Sequence, residues 1–73
     1  MIIISQDKNV IINFDNVTGI QLDEDDKQIG IQLVNDDSLI IGEYDTKERA
    51  KKVLAEIIER YSICSPKYEM PLE

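Results

Sequence analysis

Six apolar residues, Ala50, Val53, Leu54, Ile57, Ile58 and Tyr61, recur at steps of three and four, and that spacing places them on one face of an α-helix. Such a face must be covered. Everything before it reads as short strands, so the cover is a sheet. The chain is therefore expected to be an α+β domain: an antiparallel meander of four to five short strands, one C-terminal amphipathic helix packed on the sheet, then an extended arm. The sheet and helix occupy residues 1–65 and the arm residues 66–73.

The strands are read from β-branched runs bounded by turn residues. Ile2 to Ser5 and Val10 to Phe14 flank Asp7-Lys8-Asn9 as a hairpin. Asp15-Asn16 is a second turn or a bend within one long strand, and Val17 to Leu22 follows with Gly19 as a bulge candidate. Ile29, Ile31 and Leu33 alternate with Gly30, Gln32 and, less cleanly, Val34, the period of a strand with one buried face. Asn35-Asp36-Asp37-Ser38 turns the chain into Leu39 to Tyr44, where Ile40, Gly42 and Tyr44 share one face and Leu39, Ile41 and Glu43 the other. Turns this brief allow only antiparallel neighbours.

Asp45 with Glu48 three residues on predicts a capped helix start, and the helix runs from about Thr46 to Tyr61. Its core face is Val53, Leu54, Ile57, Ile58 and Tyr61. Glu48 with Lys52 and Glu56 with Arg60 form a solvated side. Pro66 ends any continuation. In the arm, Tyr68, Met70 and Leu72 alternate with Glu69, Pro71 and Glu73, so three large apolar residues share one side. This predicts an ordered arm docked on a sheet edge or groove of its own or a neighbouring subunit.

Seventy-three residues form one domain that buries only roughly 60% of the surface its unfolded chain exposes, so marginal stability or a partner subunit is expected. A lone cysteine, Cys64, cannot form an internal disulfide and reads as a small hydrophobe rather than a reactive thiol. That fits a reducing cytoplasm. No basic-then-apolar leader opens the chain and no apolar run reaches membrane-spanning length. The expectation is a cytoplasmic protein without a membrane role.

The net charge of −7 is unevenly spread: residues 1–45 carry ten acids and two bases, residues 46–73 five acids and six bases. Such a balance repels a nucleic acid and excludes direct binding to one. With no histidine and no nucleophile paired to a base, the chain is not expected to be an enzyme, and no cofactor or metal is implied. Asp23-Glu24-Asp25-Asp26 fails as a calcium loop, because Lys27 and Gln28 stand where an oxygen ligand and a glycine are required.

Ile4-Ser5-Gln6-Asp7-Lys8, Asn13-Phe14-Asp15-Asn16, the run from Gly42 to Leu54 and Tyr68-Glu69-Met70-Pro71 together resemble a group of small uncharacterised proteins of low-GC Gram-positive bacteria and their phages or prophages. The resemblance implies a setting, a phage or mobile-element genome, and no activity.

The function expected is a non-enzymatic binding module acting through protein contacts, a homo-oligomer, and in that setting an inhibitor of a host factor. Asp23, Glu24, Asp25, Asp26, Asp36 and Asp37 would steer a basic protein partner, if need be by imitating nucleic-acid charge, with Tyr68, Met70 and Leu72 as apolar anchors. The alternative is a protein that sequesters a small nucleotide signal. There Lys47, Arg49, Lys51, Lys52 and Arg60 would converge on its phosphates.

Overall fold

The computed structural model describes residues 1–73. Its strands are β1 (Ile2–Ile4), β2 (Ile11–Asn13), β3 (Val17–Asp23), β4 (Gln28–Leu33), β5 (Ser38–Glu43) and β6 (Lys67–Glu69), with one helix, α1 (Lys47–Ser62), between β5 and β6. The α+β class and the helix packed on sheet agree with the expectation. In place of one continuous meander, the strands form two three-stranded sheets, β2-β1-β6 and β3-β4-β5.

The division falls at Phe14–Asn16, a single 3-10 turn started by the Asn13 side chain, which accepts a hydrogen bond from the Asp15 amide at 3.0 Å. The turn lifts the chain out of the first sheet into the second. Within the second sheet the strands form the expected antiparallel meander. In the first, β1 pairs antiparallel with β2 and parallel with β6, Ile3 lying beside both Ile12 and Tyr68. A parallel neighbour is possible because the whole second sheet and the helix serve as the crossover.

Two bulges set which side chains face inward. Thr18 is the extra residue of β3, just before the glycine that marked it. In β5, Ile29 pairs with Gly42 and Gly30 with Ile40, leaving Ile41 as the extra residue. The alternation of β5 therefore slips. Ile41, Gly42 and Tyr44 are buried while Leu39 and Ile40 are exposed, which corrects the two faces expected from strict alternation.

Helix α1 begins one residue later than expected. Its cap is Thr46, not Asp45, and the Thr46 hydroxyl accepts from the Arg49 amide at 3.1 Å. Its far end is a Schellman closure: the Ser65 amide donates to Arg60 O and the Cys64 amide to Tyr61 O. Cys64 occupies the left-handed position at φ 59° where glycine is usual, and it is exposed rather than a buried hydrophobe. The buried stripe is Ala50, Val53 and Ile57, with Leu54 half-buried. Ile58 and Tyr61 are 55% and 52% exposed, so the core face is narrower than the periodicity indicates. The helix packs mainly on β4 and β6, and its exposed apolar residues Ile58 and Tyr61 lie outside the buried stripe.

The tail completes the core. Tyr68 and Met70 are buried at 4% and 0% exposure, and the Met70 amide donates to Ile4 O. Tyr68 donates its hydroxyl to Glu56 Oε1 at 2.6 Å, and Tyr44 donates to Pro71 O at 2.9 Å. Gly42 makes room: a Cβ there would lie 2.7 Å from Met70 Cε. The arm is thus ordered and docked on a sheet edge, as expected, and residues 66–73 share one core with the rest. Leu72 stays 68% exposed.

The β1–β2 turn fastens these pieces together. Asp7 Oδ1 accepts from the Ser5 hydroxyl and the Asn9 amide, bonds that hold its carboxyl below the usual range, the Asn9 amide most strongly. Gln6 acts as a surrogate strand residue, its side-chain amide exchanging both hydrogen bonds with the Glu43 backbone at 2.7 Å and donating also to Leu72 O. Lys8 Nζ donates to Met70 O at 2.6 Å. No buried side-chain polar atom lacks a partner.

Candidate functional site

The two acidic clusters do not form one surface. Glu24, Asp25 and Asp26 stand in the β3–β4 turn and Asp36 and Asp37 in the β4–β5 turn, at opposite ends of β4. At about 3.3 Å per residue, a six-residue strand holds them roughly 20 Å apart. The first turn winds through three successive left-handed residues, Glu24, Asp25 and Asp26, and closes with the Lys27 amide on Asp23 O and Glu24 O. It is tied to the residue that follows β5, the Tyr44 amide donating to Lys27 O. No three carboxylate or thiol side chains gather in a way that could hold a metal ion.

The basic residues do not converge either. At 100° per residue, Lys47 and Lys51 share one side of the helix, Lys52 lies a quarter-turn or more beyond, and Arg49 and Arg60 face the opposite way. Arg49 donates Nε to Glu73 O at 2.8 Å and sits over the Tyr44 ring. Arg60 sits over the Tyr68 ring. About 16 Å of helix axis separates these two guanidiniums' residues. The five bases expected to grip a phosphate therefore make no common site within one chain.

Of the three arm residues expected to anchor a partner, Tyr68 and Met70 belong to the chain's own core and only Leu72 is accessible. The apolar surface that is available lies elsewhere. Ile11, Val34 and Leu39, at 68%, 64% and 36% exposure, line one open cleft of about 320 Å3 between β2 and the β4–β5 hairpin. Val10, Ile12 and Leu33 form its floor and Asn13, Asn16 and Asn35 its polar rim. Asp36 and Asp37 follow directly in the same turn, which is built on the Asn35 side chain: Oδ1 accepts from the Asp37 amide and Nδ2 donates to Asp37 Oδ2.

One wall of this cleft is a strand paired on one side only. β2 is the edge of its sheet. The Phe14 amide bonds Met1 O and the Ser5 amide bonds Val10 O, so alternation along an antiparallel pair turns the backbone groups of Ile11 and Asn13 away from β1 and outward. An apolar cleft beside outward amides and carbonyls is the arrangement by which an extended segment joins a sheet.

Sequence reasoning missed the cleft because its walls come from two sheets that it treated as one. The single signal available was Ile11 and Val34, apolar residues at positions where alternation calls for polar ones, Ile11 within β2 and Val34 just past the end of β4. Comparison with known proteins returned no match: no protein-family profile, curated protein or solved structure matches the chain.

Proposed function

We propose that the chain is a non-enzymatic protein-binding module that receives an extended segment of a basic protein along β2, with an apolar side chain of that segment in the cleft. The observation that carries this reading is the meeting of Ile11, Val34 and Leu39 from two sheets beside an open strand edge and the Asp36-Asp37 turn. The cleft is at the low end of the range for small-ligand sites and has no lid, which suits a side chain better than a whole metabolite. Main-chain pairing supplies affinity, the cleft selects an aliphatic or aromatic residue, and the carboxylates favour lysine or arginine beside it. In the phage or prophage setting that the sequence resembles, the partner is a host protein whose segment is captured and blocked.

Selection of random linear peptides on the immobilised protein tests this. Enriched sequences should pair one large apolar residue with flanking lysine or arginine, and their binding should weaken as salt rises. Ile11→Lys and Val34→Lys should abolish binding without unfolding the protein, since both residues are largely exposed. Peptides that hold equally well to both variants would place the site elsewhere.

A further inference from the structure

Independently of the cleft, the helix leaves a second apolar surface without cover, and we propose that a second copy of this chain docks on it, the two α1 helices packing antiparallel about a two-fold axis near Ile58. Ala55, Ile58, Tyr61 and Ser62, linked by steps of three and four, are exposed along one side of α1, with half-buried Leu54 at the inner margin of that stripe. This stripe carries no charge over two turns, although 32% of the chain is charged. Phe14 extends it at the C-terminal end, its ring meeting Tyr61 edge-on at 5.2 Å between centroids. The charges at its two ends are opposite. Lys47 and Lys51 continue the stripe toward the helix N-terminus, and Asp15, exposed, directly follows Phe14 at the other end.

A surface that is apolar in the middle, basic at one end and acidic at the other is complementary to itself when one copy is turned end for end. Lys51 lies seven residues, about 10 Å, from Ile58 along the axis. A two-fold through Ile58 therefore carries it past the other copy's Tyr61 to the end where Asp15 stands. A parallel arrangement would set like charges together, and the overall charge of −7 disfavours any contact that does not match opposite ends.

Sedimentation of the intact chain over a range of concentrations tests the proposal. The wild type should form a dimer, and Ile58→Glu, at a position 55% exposed, should be a monomer with an unchanged circular dichroism spectrum. Lys51→Glu and Asp15→Lys should each weaken dimerisation at least about tenfold, a loss of 1.4 kcal/mol. The double variant Lys51→Glu with Asp15→Lys should restore it, which a general change of net charge would not do. A wild type that remains monomeric at millimolar concentration overturns the proposal. So does a dimer that survives Ile58→Glu, and one broken instead by Val34→Lys would be joined through the cleft.

Discussion

Cys64 holds a backbone conformation suited to glycine. A left-handed residue with a Cβ costs roughly 1–2 kcal/mol, and the Schellman closure at Cys64 and Ser65 fixes that conformation. Cys64→Gly should therefore raise stability by about 1 kcal/mol, visible as a melting temperature higher by roughly 4–8 °C in a chain of this size. The opposite is expected at Gly42, where the added methyl of Gly42→Ala meets Met70 Cε and the Tyr44 ring. Met70 is fully buried and has little room to withdraw, so this substitution should cost about 1–3 kcal/mol in urea unfolding. The two buried tyrosines give stability a pH dependence. Burial first, and then the nearby Glu56, push the Tyr68 hydroxyl above the usual tyrosine range. Burial likewise pushes Tyr44 up to about 12. The folded state thus keeps protons that the unfolded chain releases above pH 10. Their contribution is whole below pH 10 and is lost as the pH rises toward 12. Urea midpoints measured across that range should fall less steeply in the Tyr44→Phe, Tyr68→Phe double variant than in the wild type.

Among the elements, the helix separates residues that look equivalent in sequence. Ile57→Ala should cost about 2–5 kcal/mol, because Ile57 is fully buried, whereas Ile58→Ala, at a position 55% exposed, should change the stability of the monomer by less than about 0.5 kcal/mol. The three-four spacing reports that one side of a helix is apolar, and that much was legible, as were the first five strands from their β-branched runs and turn residues. It does not report how wide the covering surface is. Two narrow sheets that meet under the helix cover Ala50, Val53 and Ile57 and leave Ile58 and Tyr61 outside. The split into two sheets was hidden because Asn13-Phe14-Asp15-Asn16 serves equally as a hairpin turn and as a link between sheets. The parallel β1–β6 pair was hidden because local turn signals carry no information about partners more than sixty residues apart. The tail itself was legible from the alternation of Tyr68, Met70 and Leu72. Ending the chain at Pro66 should remove two core side chains and the edge partner of β1, so that the truncated protein shows no cooperative thermal transition by circular dichroism.

At the scale of the whole molecule, an accessible surface of 4756 Å2 is close to the value of about 4,600 Å2 that a compact monomer of this mass should have. Its exposed apolar residues are therefore not the mark of a loosely closed fold. Ile11, Val34 and Leu39 gather at the cleft beside β2 and Ile58 and Tyr61 on the stripe of α1, while two acidic clusters stand at the turns at either end of β4. The apolar anchors expected beside these charges were Tyr68, Met70 and Leu72, yet the cleft is built from Ile11, Val34 and Leu39, and only one of the two acidic turns, Asp36-Asp37, lies beside it. Nuclear magnetic resonance of the labelled protein, titrated with an extended lysine-flanked apolar peptide from the selection, reads the site residue by residue. Amide shifts should concentrate at Val10–Asn13 and Val34–Leu39, and the Ile11 and Asn13 amides should become slow to exchange on binding while the turn at residues 24–27 stays unmoved. Shifts centred on residues 24–27 with Ile11 and Asn13 still exchanging freely would contradict the account.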